Sequence, residues 1–246
     1  MRIRHVVLTD ETGGITSAEL NEVAAALQIQ VERDLAPAWG TRAIVTAGVK
    51  RPSAWPIRIT EDVPEGALGV HLDDGGDPYA VILPDDGWPV TASHELVEML
   101  VDPRGSRMST APSLDPAANG RLVHFLVEVG DPVETESYTI NGINVSNFVF
   151  RDYYHRKPHP GDEYDLLATV ERPYQVLPGG YISWYDPHDG RWHQVKPDGS
   201  IVTAGEAADL ATDFRDSRDK SFSDDEDRHN LLKILASQNS RPSMQS

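Results

Sequence analysis

"VTASHELVEMLVDP", Val90 to Pro103, sets a single polar stripe on an otherwise apolar segment. At 100° per residue, Thr91, His94, Glu95, Glu98 and Asp102 fall on one side of a helix. Val90, Val97 and Val101 border the stripe, while Leu96, Met99 and Leu100 fill the opposite face. A solvent-facing helix would carry Lys or Arg one turn after its glutamates, and none stands between Thr91 and Asp102. The pattern predicts a buried helix, and buried carboxylates are costly unless a cation faces them. The competing reading is an acidic surface with one incidental histidine.

His94 and Glu98 lie one turn apart, a rise of about 6 Å, so their side chains can converge on one ion. Glu95 is beside them, where it can accept a proton from a water that the ion activates. Asp102 is two turns beyond His94, roughly 12 Å along the axis, and Pro103 ends the helix there. Asp102 is therefore expected as a turn residue paired with Arg104 or Arg107, and the third ligand must come from elsewhere. "EVGDP" offers Glu128 and Asp131 at the end of an apolar strand. His124, His155 and His159 rank behind them, and His71, inside "GVHLDD", reads as a strand residue rather than a ligand.

Working outward, "RHVVLTD" reads as a first strand. Thr16 and Glu19 have capping-box spacing ahead of a helix whose apolar positions run from Leu20 to Leu35, with Pro37 as its expected stop. "RAIVTAGV" and "WPIRIT" read as strands, and "ALGVHL" and "YAVILP" as a hairpin joined through Asp73 to Pro78. After Pro103, residues 104–121 are rich in Gly, Pro, Ser and Asn and read as a long loop. "LVHFLVEVGDP" reads as a buried strand broken at Gly130. "SYTINGINVSNFVF" reads as a hairpin on Asn141-Gly142, and "GGYISWYDPHDGRWHQV" as a second hairpin. The expected divisions are 1–103, ending with the polar-striped helix; 104–203, a loop followed by hairpins that complete the metal site; and 204–246, an acidic mobile tail.

A chain of 246 residues with a net charge of −17 does not suit a phosphate backbone or an anionic membrane as partner. Without cysteine it has neither disulfides nor thiolate ligands. It carries no apolar run near the ~20 residues that span a bilayer. The N-terminus lacks an apolar signal core, so a cytoplasmic protein is expected, with unconventional export left open.

"SHELVEMLVDP", "EVGDP" and "YTINGINVSNFV" together resemble a group of bacterial zincin-like proteins and, more distantly, the plant EXORDIUM (phosphate-induced) proteins, over about Leu68 to Phe150. The element order up to the helix is similar to the N-terminal subdomain of the zincin metallopeptidases. The resemblance implies an α/β (α+β) zincin-like N-terminal subdomain, and the change to hairpin-bearing segments after the Gly/Pro loop predicts a mostly β C-terminal half. It also implies His94 as a ligand and Glu95 as general base, with Glu98 standing where zincins carry a second histidine. A carboxylate there neutralises the ion and raises the pKa of its water. Zn²⁺ remains the expected ion, and the change favours Mn²⁺ or Ca²⁺ more than an imidazole would. Two functions follow as expectations. One is a metal-dependent hydrolase, a peptidase, that aligns an extended peptide on the "YAVILP" hairpin, with Tyr153 or Tyr154 donating to the oxyanion. The other is a non-catalytic module with a structural ion, binding a protein partner through the C-terminal hairpins. Trp184, Tyr185 and Trp192 are its candidate contacts if exposed, and hairpin core if not.

Overall fold

A computed structural model describes residues 3–49, 52–64 and 66–206. The fold is mixed α/β and largely β, with two long helices and two five-stranded sheets. The first sheet is built from β1 (Arg4–Asp10), β2 (Ala43–Ala47), β3 (Trp55–Ile59), β4 (Gly69–Asp74) and β5 (Asp77–Ile82), in the order β2-β1-β3-β5-β4. All neighbours are parallel except β4, which closes the edge antiparallel to β5. β5 is therefore an internal strand, and the free edge of the expected hairpin belongs to β4. The turn between them is Gly75-Gly76, both at positive φ, as a two-residue hairpin requires.

Alternation along the strands decides what each face covers. Val6, Leu8, Ile57, Ile59, Ala80 and Ile82 point into the main core beneath the two helices, α1 (Ser17–Ile29) and α3 (Trp88–Val101). Val70, Leu72 and Val81 form a small separate cluster on the opposite face. His71, between Val70 and Leu72 and paired with Ala80, consequently turns toward the helices.

Helix α1 starts as expected, with the Thr16 hydroxyl accepting from the Glu19 N–H. The Glu19 carboxylate does not complete the reciprocal box; it accepts the Trp88 indole N–H and so ties α1 to the start of α3. Pro37 does not stop the helix. After Ile29 the chain widens into a π-helical stretch, Gln30–Leu35, and continues as α2 (Ala36–Trp39) before Gly40 ends it at φ 70°. The Ala36 N–H reaches back to the Val31 carbonyl, and Pro37 falls in the first turn of α2, where its missing N–H costs little.

The second sheet is wholly antiparallel, ordered β12-β11-β10-β7-β6, from β6 (Met108–Pro112), β7 (Leu122–Leu126), β10 (Ile182–Asp186), β11 (Arg191–Val195) and β12 (Ile201–Glu206). β6 lies inside the segment expected to be a loop. It is a short edge strand, where Pro112 removes no ladder bond that the sheet needs. β7 ends at Leu126 rather than running to Gly130, so Glu128 and Asp131 stand on irregular backbone beyond the strand. β8 (Ser137–Ile140) and β9 (Ile143–Ser146) form the hairpin on Asn141-Gly142, and β9 packs on α3. With the first sheet on one side and β9 on the other, α3 is buried all round from Ala92 to Val101. One apolar core runs through both halves, from Val6 to Val195.

Trp184 and Trp192 are buried, with Trp184 packed against Phe125 and His193. They fill the sheet and are not surface contacts; Tyr185 is partly exposed. Of the tail expected from 204, residues 204–206 belong to β12, and 207–246 lie outside the described residues. Among the described residues no helix is long and apolar enough to cross a membrane.

Candidate metal centre

The polar stripe of α3 faces the chain beyond β7. His94 Nε2 lies 3.4 Å from Glu98 Oε2 and 3.5 Å from Asp131 Oδ1. Glu98 Oε1 accepts the backbone N–H groups of Gly130 and Asp131 at 3.0 and 3.3 Å, so the irregular backbone after β7 is pinned to α3 by the carboxylate it faces. Gly130 is required by close approach. A Cβ there would stand 2.6 Å from His94 Cε1 and Nδ1, on the ring itself.

His71 enters from β4 on the other side of Glu98. Its Nδ1 is 3.5 Å from Glu95 Oε2 and 3.7 Å from Glu98 Oε2, and its Nε2 is 3.8 Å from Glu128 Oε2. Gly69 makes room for this strand, since a Cβ would lie 2.6 Å from Thr91 Cγ2 and 3.0 Å from Glu95 Oε1. The Glu128 Oε2 atom is buried with no hydrogen-bond partner.

These separations are wider than direct hydrogen bonds, whose mode is about 2.9 Å. They match the spacing of atoms that share an ion: two ligands each about 2.1 Å from a tetrahedral cation are about 3.4 Å apart. His94, Glu98 and Asp131 are thus positioned to hold a metal ion, and so are His71, Glu95 and Glu98.

Electrostatics fits the same reading. Burial opposes the charged form of His94, yet the Glu98, Glu134 and Asp131 carboxylates hold its pKa well above the usual value. Burial, then Glu98, pushes Asp131 up to about 7. Burial pushes Glu128 well above the carboxylate range, and Glu98, Asp102, Asp131 and Glu95 add to it. Burial also opposes charge on Glu98, but the His94 and His71 rings and the Gly130 N–H hold it low.

The other candidates sit elsewhere. Asp102 caps the end of α3 and accepts the Arg107 backbone N–H at 2.7 Å, as a turn residue should. His124 pairs with the Thr110 hydroxyl on β6. His155 and His159 gather on Asp162 in a separate, more exposed group. The Tyr154 hydroxyl donates to the Glu128 carbonyl at 3.0 Å and the Tyr153 hydroxyl to the Gln175 carbonyl at 3.0 Å. Both phenols donate to backbone acceptors inside an aromatic cluster, so an oxyanion role for Tyr154 would require it to leave the Glu128 carbonyl.

His71 is the residue that sequence reasoning passed over. Alternation along β4 separates it from Val70 and Leu72, and the sheet register then decides that its face is the one that meets α3. No protein-family model, curated protein or solved structure matches the chain.

Proposed function

We propose that the protein is a divalent-cation-dependent hydrolase of the zincin-like type, acting on an extended peptide. The observation that carries this is the ligand-like spacing of His94, Glu98 and Asp131 with Glu95 one residue along the same helix. The donor set, one imidazole and two carboxylates, suits Zn²⁺ and also admits Mn²⁺. A cation held there supplies Lewis acidity to a carbonyl oxygen and makes nearby water more acidic.

The chain's own residues supply the rest. His94, Glu98 and Asp131 hold the cation, and the Gly130 and Asp131 N–H groups fix the Glu98 carboxylate so that Oε2 faces inward. The Glu95 carboxylate takes the proton from the attacking water and returns it to the departing amine. β4 pairs only with β5 among the described residues, so its outer edge offers backbone donors and acceptors to a substrate strand.

A test is cleavage of a peptide library by the metal-loaded chain and by Glu95→Gln at matched metal content. The amide keeps the shape but cannot accept the proton, so turnover should fall about 10²–10⁴-fold. Equal turnover by the variant would remove Glu95 as base and the mechanism with it.

A second reading is an ion with a purely structural role, clamping α3 to the backbone after β7. It is favoured by burial: His94, Glu95, Glu98 and Asp131 are each less than a tenth exposed, which leaves a substrate little access. No cleavage with any divalent ion, together with a loss of thermal stability on chelation, would select it.

A further inference from the structure

The ligand atoms around Glu98 outnumber what one ion uses. Two triads, His94-Glu98-Asp131 and His71-Glu95-Glu98, share that glutamate and come from different directions, one from the backbone after β7 and one from the sheet edge. Glu98 Oε1 is taken up by two backbone N–H groups, whereas Oε2 faces both imidazoles, at 3.4 Å from His94 and 3.7 Å from His71. Within the second triad the separations from His71 Nδ1 are 3.5 and 3.7 Å, the same ligand-like spacing as in the first. Glu128 lies behind the His71 ring, on the side of Nε2. Glu95, Glu98, Glu128 and Asp131 gather on these two imidazoles.

We propose that Glu98 Oε2 bridges two divalent cations, one held with His94 and Asp131 and the other with His71 and Glu95. Paired-metal centres place their ions about 3.5–4 Å apart, a separation that one bridging oxygen allows. The proposal rests on reading the His94 group as a cation site. Loading the second position takes up the Glu95 carboxylate, so the proton-accepting role of Glu95 belongs to the chain with the first position alone filled.

The experiment is equilibrium dialysis of the full chain against Mn²⁺, with ions per chain counted by elemental analysis and the spin state read by electron paramagnetic resonance. Expected are two ions per chain beyond those held by a His71→Ala/His94→Ala double variant, which reads any ion bound at exposed groups. The expected spectrum is an exchange-coupled pair that becomes an uncoupled six-line signal in His71→Ala. His71→Gln, closer in size, repeats the measurement if the alanine variant loses its native circular dichroism. A wild-type count of one overturns the second position, and retention of that ion in His71→Ala leaves the first reading standing. Two uncoupled ions overturn the Glu98 bridge. A count no higher than the double variant's overturns both this proposal and the reading it rests on.

Discussion

Gly130 shows how closely a single side chain sets this centre. Its φ of −89° is open to any residue, so conformational freedom is not the reason for glycine. Space is the reason, because a methyl group would occupy the His94 ring at 2.6 Å from two of its atoms. Gly130→Ala should therefore leave the sheets intact and push His94 off its line to Glu98 and Asp131. The expected outcome is a divalent-ion affinity at least tenfold weaker by calorimetry, the size seen when groups that orient metal ligands are lost. Unchanged affinity in the variant would show that the ring does not hold the position described. Glu98→Gln should weaken binding more, since the amide still accepts the Gly130 N–H but presents no charge at the second atom.

At the scale of elements, a closed ring of hydrogen bonds locks three of them together. Ser93 Oγ on α3 donates to Gln30 Oε1 at 2.8 Å, Gln30 Nε2 donates to the Ser146 carbonyl at 2.9 Å, and the Ser146 N–H donates to Ser93 Oγ at 2.8 Å. All three residues are fully buried, so Ser93→Ala strands one acceptor and one donor without water to replace the hydroxyl. The expected cost is about 1–3 kcal/mol per stranded group, measured as a lower urea midpoint with an unchanged slope. A loss below about 0.5 kcal/mol would mean that water or a rearranged Gln30 satisfies the pair.

Elements of this kind divide into what the sequence displays and what it conceals. The period of α3, the strands before it and both Asn-Gly and Asp-Pro hairpins were legible, because local pattern and turn chemistry decide them. His94, Glu95, Glu98 and the Glu128–Asp131 segment were legible as polar residues in apolar surroundings. β6 was not, since its burial comes from pairing with β7 and not from its own composition. The ring through Gln30 was hidden for a related reason: its members lie 53 to 116 residues apart. His71 was hidden because only the sheet register shows which face of β4 meets the helix.

For the whole molecule, the centre is one more joint between halves that also share an apolar core and the buried ring through Gln30, Ser93 and Ser146. The candidate ligands come from the edge of the first sheet, from α3 and from the backbone after β7, so an ion bound there must be lost on unfolding. A ligand at a hundred times its dissociation constant adds about 2.7 kcal/mol to the native state. For a domain of this size each kcal/mol is worth roughly 2–4 °C, so saturating Zn²⁺ or Mn²⁺ should raise the melting temperature by about 5–10 °C per site. Chelation should reverse the shift, and the His71→Ala/His94→Ala chain should show none. The shift should also depend on pH, with a sign fixed by the protons that the ion displaces. In the ion-free protein His94 is held well above its ordinary pKa and Asp131 at about 7, against 3.8 for a free aspartate. Both native-state values are raised, so their contribution is complete at low pH and is lost as pH rises through them. The ion-free melting temperature should accordingly fall from pH 5 to pH 8. Over the same range the ion binds more strongly, because its ligands must be deprotonated. The gap between ion-loaded and ion-free melting temperatures should thus widen with pH. A gap that is constant or narrows from pH 5 to 8 in differential scanning calorimetry would show that the ion does not bind where these protons sit.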